Sequence, residues 1–330
     1  MLIAGIHVGV WAGFFGFVLA VLALDLGVFH RKAHEVKVKE ALVWSGIWVV
    51  VALVFNALLV QYWDAWRPDS PLTSTEAGTA FLAGYIVEKA LSIDNVFVFL
   101  IVFSYFQVPA KLQHRVLFWG ILGALFFRSI FVAAGSVILE QFLWATIVFG
   151  LFLIGTGIKL ALTHDKKMDP GNNPLVKLFR RFVPVTEGFV GEKFMVVRDG
   201  KRWATPLLLA LVVIEFTDVV FAVDSIPAIF AITSEPFIVL TSNVFAILGL
   251  RSLYFAISAM VAAFRYLSFG LAAILVFVGG KMIYGYFEKS VVADWPKFPV
   301  GWSLSTIALL LGASVAASLL VPKPQSEEAD

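Results

Sequence analysis

The chain has 330 residues, 60% of them hydrophobic and only 15% charged, with a mean hydropathy of +0.90 and a formal net charge of +2. Soluble domains run at about 45–50% apolar and about 25% charged residues, so this is the composition of an integral membrane protein. The absence of cysteine excludes disulfide scaffolds, thiolate metal sites and cysteine catalysis.

Apolar runs long enough to cross a hydrocarbon core of ~30 Å recur about nine times, at 4–29, 41–62, 79–105, 116–138, 142–161, 205–232, 237–262, 267–287 and 301–321. The first run begins almost at Met1, with no basic segment before it and no small-residue cleavage site after it. It reads as a spanning helix rather than a removable signal peptide. Basic residues set the orientation. Arg31, Lys32, Lys37 and Lys39 make the first loop cytoplasmic, with the N-terminus outside. Alternation from there puts Lys111, Arg115, the nine Lys and Arg of 163–204, Arg265 and Lys323 inside as well, and leaves Arg67, Lys289 and Lys297 outside. The C-terminus is then cytoplasmic.

The segment 163–204 is the one sizeable stretch outside the apolar runs. Its residues 194–203 predict a small hairpin turning at Asp199-Gly200, and its basic character fits an anionic inner leaflet. The tail 326–330 has the composition of a disordered end.

Two apolar runs carry carboxylates well inside them, whereas Asp25 stands near the inner end of the first run. Residues 213–233 carry Glu215, Asp218 and Asp224, and residues 81–103 carry Glu88, Lys89 and Asp94. Three carboxylates oppose membrane insertion by about 8–10 kcal/mol in total, so they point to a function in the membrane. Aligning Asp94-Asn95 with Asp224-Ser225 places Glu88 opposite Asp218. The likeness continues from 121–129 to 247–252, which matches Arg128-Ser129 with Arg251-Ser252, and from 155–159 to 279–283.

Residues 79–162 and 205–287 therefore read as two copies of a three-helix unit. Residues 1–78 supply two helices before them, 163–204 a cytoplasmic connection, and 288–330 a last helix and tail. Three spans per copy is an odd number, so the second copy runs inverted. A 3+3 inverted repeat is the architecture of secondary transporters, whose sites lie at the repeat interface near mid-membrane. The fold class expected is an all-α polytopic membrane protein.

Four acids, Glu88, Asp94, Asp218 and Asp224, with Asn95 and Ser225 beside them, would give an anionic, all-oxygen site. No histidine lies well inside a span. Such a site suits hard cations (Mn²⁺, Mg²⁺ or Ca²⁺) over Zn²⁺ or Cu⁺. The excess negative charge calls for protons in part of the cycle, which makes the transport proton-coupled. Pro227 predicts a break in its helix that frees carbonyls beside Asp224. The plainer alternative is that the acids pair with Lys89, Arg128 and Arg251. Glu215 would then pair with Arg251, and Arg128 and Arg251 would hold acids in place.

The stretches 88–99, 215–231 and 241–252 resemble the signature motifs of the TerC family. The opening residues 24–31 and the Arg-Asp-Gly hairpin resemble its Alx-like, alkali-induced branch. The resemblance implies a LysE-like transporter fold and Mn²⁺ export across the bacterial inner membrane, carried by the motif acids Glu88, Asp94, Asp218 and Asp224. The family name comes from tellurium resistance, but a ring of carboxylates is a poor binder for an oxyanion. No enzymatic activity, prosthetic group or nucleic-acid partner is expected. Two other readings are a membrane partner that hands metal to secreted proteins, and an intramembrane aspartyl enzyme using Asp94 and Asp224 as a dyad. The Gly-x-Gly-Asp context of the latter is missing.

Overall fold

The computed structural model describes residues 2–24, 38–162, 179, 181–198, 200–258, 266–290 and 298–320, leaving aside the side chains of Asp94, Glu140, Val223, Asp224, Leu267, Ser268, Lys289, Ser290 and Val300. The basic residues of 25–37, Arg265, Lys297, Lys323 and the tail 326–330 lie outside the described residues.

The protein is an all-α polytopic membrane protein. Its helices are α1 (Val8–Leu24), α2 (Val38–Trp66), α3 (Ser74–Tyr105), α4 (Ala110–Gln141), α5 (Ala145–Leu162), α6 (Pro206–Phe230), α7 (Pro236–Leu248), α8 (Leu250–Ser258), α9 (Leu267–Ser290) and α10 (Val300–Leu320). Among the described residues, six helices (α2, α4, α5, α6, α9 and α10) are long and apolar enough to cross a membrane, and α7 with α8 makes a seventh if the bent pair is one span. The 17 residues of α1 rise only about 26 Å. The 32 residues of α3 reach about 48 Å but carry Glu88, Lys89 and Asp94 in their middle.

Helix α3 is the hub, packing against α2, α6, α7, α8 and α10. Its start is fixed by a capping box. Thr73 accepts from the backbone N–H of Glu76, and the Glu76 carboxylate accepts from the N–H of Thr73 at 2.9 Å. Around the hub, α3 packs on α7, α4 on α6, and α5 on α9, the last being the most extensive contact in the bundle. Helices α5 and α9 approach backbone to backbone because glycines face each other. A Cβ at Gly150 would lie 2.8 Å from the Gly279 carbonyl oxygen, and one at Gly279 would lie 2.5 Å from that of Gly150. Small residues at such crossings are how helices associate where water offers no hydrophobic drive.

One expectation is corrected here. Helix α6 runs unbroken through Pro227, which stands one turn from its end, where little helix remains to disrupt. The break falls elsewhere, at Gly249, where α7 and α8 meet at 43°.

Strands β1 (Leu2–Ile3) and β2 (Ile6–His7) form a minimal ribbon ahead of α1. Strands β3 (Met195–Arg198) and β4 (Lys201–Ala204) form the hairpin, with Gly200 at φ +72° in its two-residue turn. The hairpin is tied to the bundle. Thr205, just before α6, donates to the carbonyls of Lys193 and Phe194. Arg115 of α4 bonds Glu192 at 2.8 Å and lies over the Phe194 ring. Phe179, Val185, Phe189 and Phe194 close over that end of α3, α4, α6 and α8.

The far end is closed differently. Phe14, Phe55, Phe81, Phe237 and Phe245 interlock there with ring centroids 4.7–6.4 Å apart. Beyond them Arg67 bonds the buried Glu235 at 3.3 Å.

Candidate functional site

On a 3.6-residue helix, positions seven apart fall within about 20° of each other. Glu88 and Asn95 are so placed on α3, with Ser92 between them, and all three are buried. Asp218 and Ser225 repeat the spacing on α6 and are also buried. Each helix therefore presents one polar stripe, and the stripes face one another across the centre of the bundle. Asn95 Nδ2 donates to Asp218 Oδ1 at 3.4 Å. Glycine allows the third wall to come close. A Cβ at Gly84 would lie 2.8 Å from Ser242 Oγ, so α7 sits tight against α3 and brings in the buried Asn243.

Arg128 of α4 enters the middle of this group and is 1% exposed. Its guanidinium grips Asp218 with two bonds, Nε to Oδ2 at 3.2 Å and Nη2 to Oδ1 at 3.1 Å. Nη1 donates to Glu88 Oε1, to Ser225 Oγ at 3.2 Å and to Asn243 Oδ1 at 3.1 Å. Asn243 completes the network by donating Nδ2 to Glu88 Oε2 at 3.3 Å. Two carboxylates from different helices, α3 and α6, thus share one cation, and the trio keeps a formal charge of −1. Buried charges persist only when paired and hydrogen-bonded in this way.

The other sequence-named residues are placed as follows. Asp94 and Asp224 occupy helical backbone, and their side chains lie outside the described residues. Glu215 stands against Gly123 of α4, whose missing side chain makes its room, and Glu215 Oε2 is buried with no hydrogen-bond partner among the described residues. Arg251 and Asp218 line a small cavity, with room for about one water, walled by Phe99, Leu117, Gly120, Ile121, Ala124, Ile214 and Leu250. Lys89 donates to the Ala246 carbonyl at 3.3 Å, beside the Gly249 bend. Among the described residues no three His, Cys, Asp or Glu side chains gather as a metal would need.

Asn243 was not among the residues singled out from the sequence. Its signal was present in Thr241-Ser242-Asn243, three polar side chains in succession within an apolar run, all fully buried.

The model of the integral membrane protein TerC family matches residues 73–326. A Myxococcus xanthus membrane protein, STKORF319, is 53% identical over 312 residues, covering 94% of this chain and 92% of the relative. The Escherichia coli K12 protein named "Putative membrane-bound redox modulator Alx" is 45% identical over 298 residues, covering 90% of each chain. The protein of that name from Photorhabdus laumondii is 42% identical over 319 residues, covering 96% of this chain and 97% of the relative. No solved structure matches the chain.

Proposed function

The chain belongs to the integral membrane protein TerC family, and from that premise we propose that it is a secondary transporter. It exports a divalent cation, Mn²⁺ favoured, across the bacterial inner membrane in exchange for protons. The observation that carries the reading is the meeting of Glu88 of α3 and Asp218 of α6 in a buried setting of oxygen acceptors. Carboxylate, amide and hydroxyl oxygens are what hard dications accept. Asp94 and Asp224, one turn-and-a-half beyond, are the further ligands of the proposal.

The helix pairing supports an inverted repeat at the core. A two-fold axis relating 79–162 to 205–287 would pack α3 on α7, α4 on α6 and α5 on α9, and these pairs are in contact. In the proposed orientation the hairpin is cytoplasmic and the aromatic cluster faces outward. Manganese export also gives chemical sense to the name redox modulator that the Escherichia coli relative carries. Mn²⁺ is redox-active, whereas this chain has no cysteine to act as a thiol switch.

The test is transport by purified protein in liposomes, with Mn²⁺, Ca²⁺ and Mg²⁺ in competition and internal pH recorded. Saturable Mn²⁺ flux with counter-movement of protons is expected. No flux of any of the three ions, with folded protein in the vesicles, refutes the proposal.

A further inference from the structure

Arg128 does more than neutralise an acid. Its five hydrogen bonds fall on Glu88, Asp218, Ser225 and Asn243, which come from three helices, and every acceptor is an oxygen. That acceptor set is the one a hard dication would take. A guanidinium and a dication cannot share it, because the same oxygens would have to serve both and two like-charged groups would stand within a few ångströms in a medium of low dielectric. One acceptor of the cage stays unused. Asn95 Oδ1 is buried, one atom away from the amide nitrogen that contacts Asp218, and has no hydrogen-bond partner among the described residues. The arginine satisfies the cage without filling it.

We propose that Arg128 is a tethered stand-in for the transported cation: in this conformer it occupies the oxygen cage, and a metal ion enters only as the guanidinium withdraws. Withdrawal has a direction. Side chains on a helix lean towards its N-terminus, and one to two turns back from Arg128, Ala124, Ile121 and Gly120 wall the cavity beside Asp218. The arrangement gives the carrier a compensated empty state. Without metal the two carboxylates are never left bare, so the bundle can return through its cycle with the cage closed on its own arginine. This rests on reading the cage as a cation site, and deepens that reading by naming what competes there.

The experiment measures Mn²⁺ binding by titration calorimetry on purified full-length protein and Mn²⁺ flux in liposomes, for wild type, Arg128→Gln and Arg128→Lys. Removing the competitor should tighten Mn²⁺ binding by about tenfold or more in Arg128→Gln, since an affinity masked by an occupied state is recovered when that state is removed. Net efflux should fall while exchange of Mn²⁺ for Mn²⁺ across the membrane persists, because only the metal-free return needs the arginine. Arg128→Lys keeps the charge but loses the fork that reaches four acceptors at once, so its binding should also tighten, by less. If Arg128→Gln does not fold, Arg128→Lys carries the decision. A folded variant whose Mn²⁺ binding is unchanged or weaker overturns the proposal and returns Arg128 to a purely structural role. Wild-type protein that transports Mn²⁺ alongside such a variant leaves the transporter reading standing. Wild type that neither binds nor transports Mn²⁺, Ca²⁺ or Mg²⁺ removes both.

Discussion

Gly279 and Gly280 are adjacent in α9, yet alanine should have opposite effects at the two positions. A Cβ at Gly279 would lie 2.5 Å from the Gly150 carbonyl oxygen, 2.9 Å from Ile154 Cγ1 and 3.1 Å from the Ile154 nitrogen, whereas one at Gly280 meets nothing within 4 Å. Against an ordinary contact of 3.4 Å, the first deficit is 0.9 Å (3.4 − 2.5), and backbone cannot rotate aside. Overpacking of this kind costs about 1–3 kcal/mol. Both substitutions gain the same helix propensity, about 1 kcal/mol for alanine over glycine, so that gain cancels when the variants are compared with each other. Gly280→Ala should therefore be slightly more stable than wild type, and Gly279→Ala about 1–3 kcal/mol less stable than Gly280→Ala. Thermal unfolding in one detergent reads the gap as about 2–10 °C. Coincident melting temperatures, or a more stable Gly279→Ala, would falsify the glycine crossing between α5 and α9.

Asp218→Asn removes one of two negative charges around Arg128 and leaves Glu88 and Arg128 as a matched pair. It should stop Mn²⁺ flux in liposomes while changing stability by less than about 2 kcal/mol, and a melting temperature that collapses would contradict the −1 trio. Thr73→Ala deletes the cap of α3 and should cost about 1 kcal/mol in thermal unfolding, with flux retained. Gly200→Ala forces an L residue to φ +72°. It should loosen the β3–β4 hairpin by about 1 kcal/mol, visible as faster proteolysis within 193–204 and no change in Mn²⁺ affinity.

The apolar runs and the charges inside them were legible from the chain because hydropathy and burial of a carboxylate are properties of a local stretch. Matched spacing brought Glu88 and Asp218 together on paper. The bonds that join them were not legible, because they connect residues 40, 90, 97 and 115 positions apart. Nothing local says that two acids will share Arg128 rather than each finding its own base. Pro227 misled for a related reason. Proline forbids a hydrogen bond, but the damage depends on how much helix follows, and in α6 little does. Gly249 gave no comparable signal, since glycine tolerates a bend without requiring one. The seven-residue spacing of Glu88–Asn95 and Asp218–Ser225 marks the face each helix turns inward, but the acids themselves stand six apart, about 120° around a helix, and no stripe follows from them.

The two ends of the bundle are not equally hard to part. Opening towards the phenylalanine cluster means separating five interlocked rings and then the Arg67–Glu235 pair. Towards the hairpin, the network borders a gap already large enough for about one water, and the cover beyond it is held by the Thr205 hydrogen bonds, four apolar side chains and the half-exposed Arg115–Glu192 contact, with no interlocked ring cluster among its described residues. Thermal breathing should therefore wet the arginine cage from the hairpin side first, and an ion arriving there would find the shorter, softer route in.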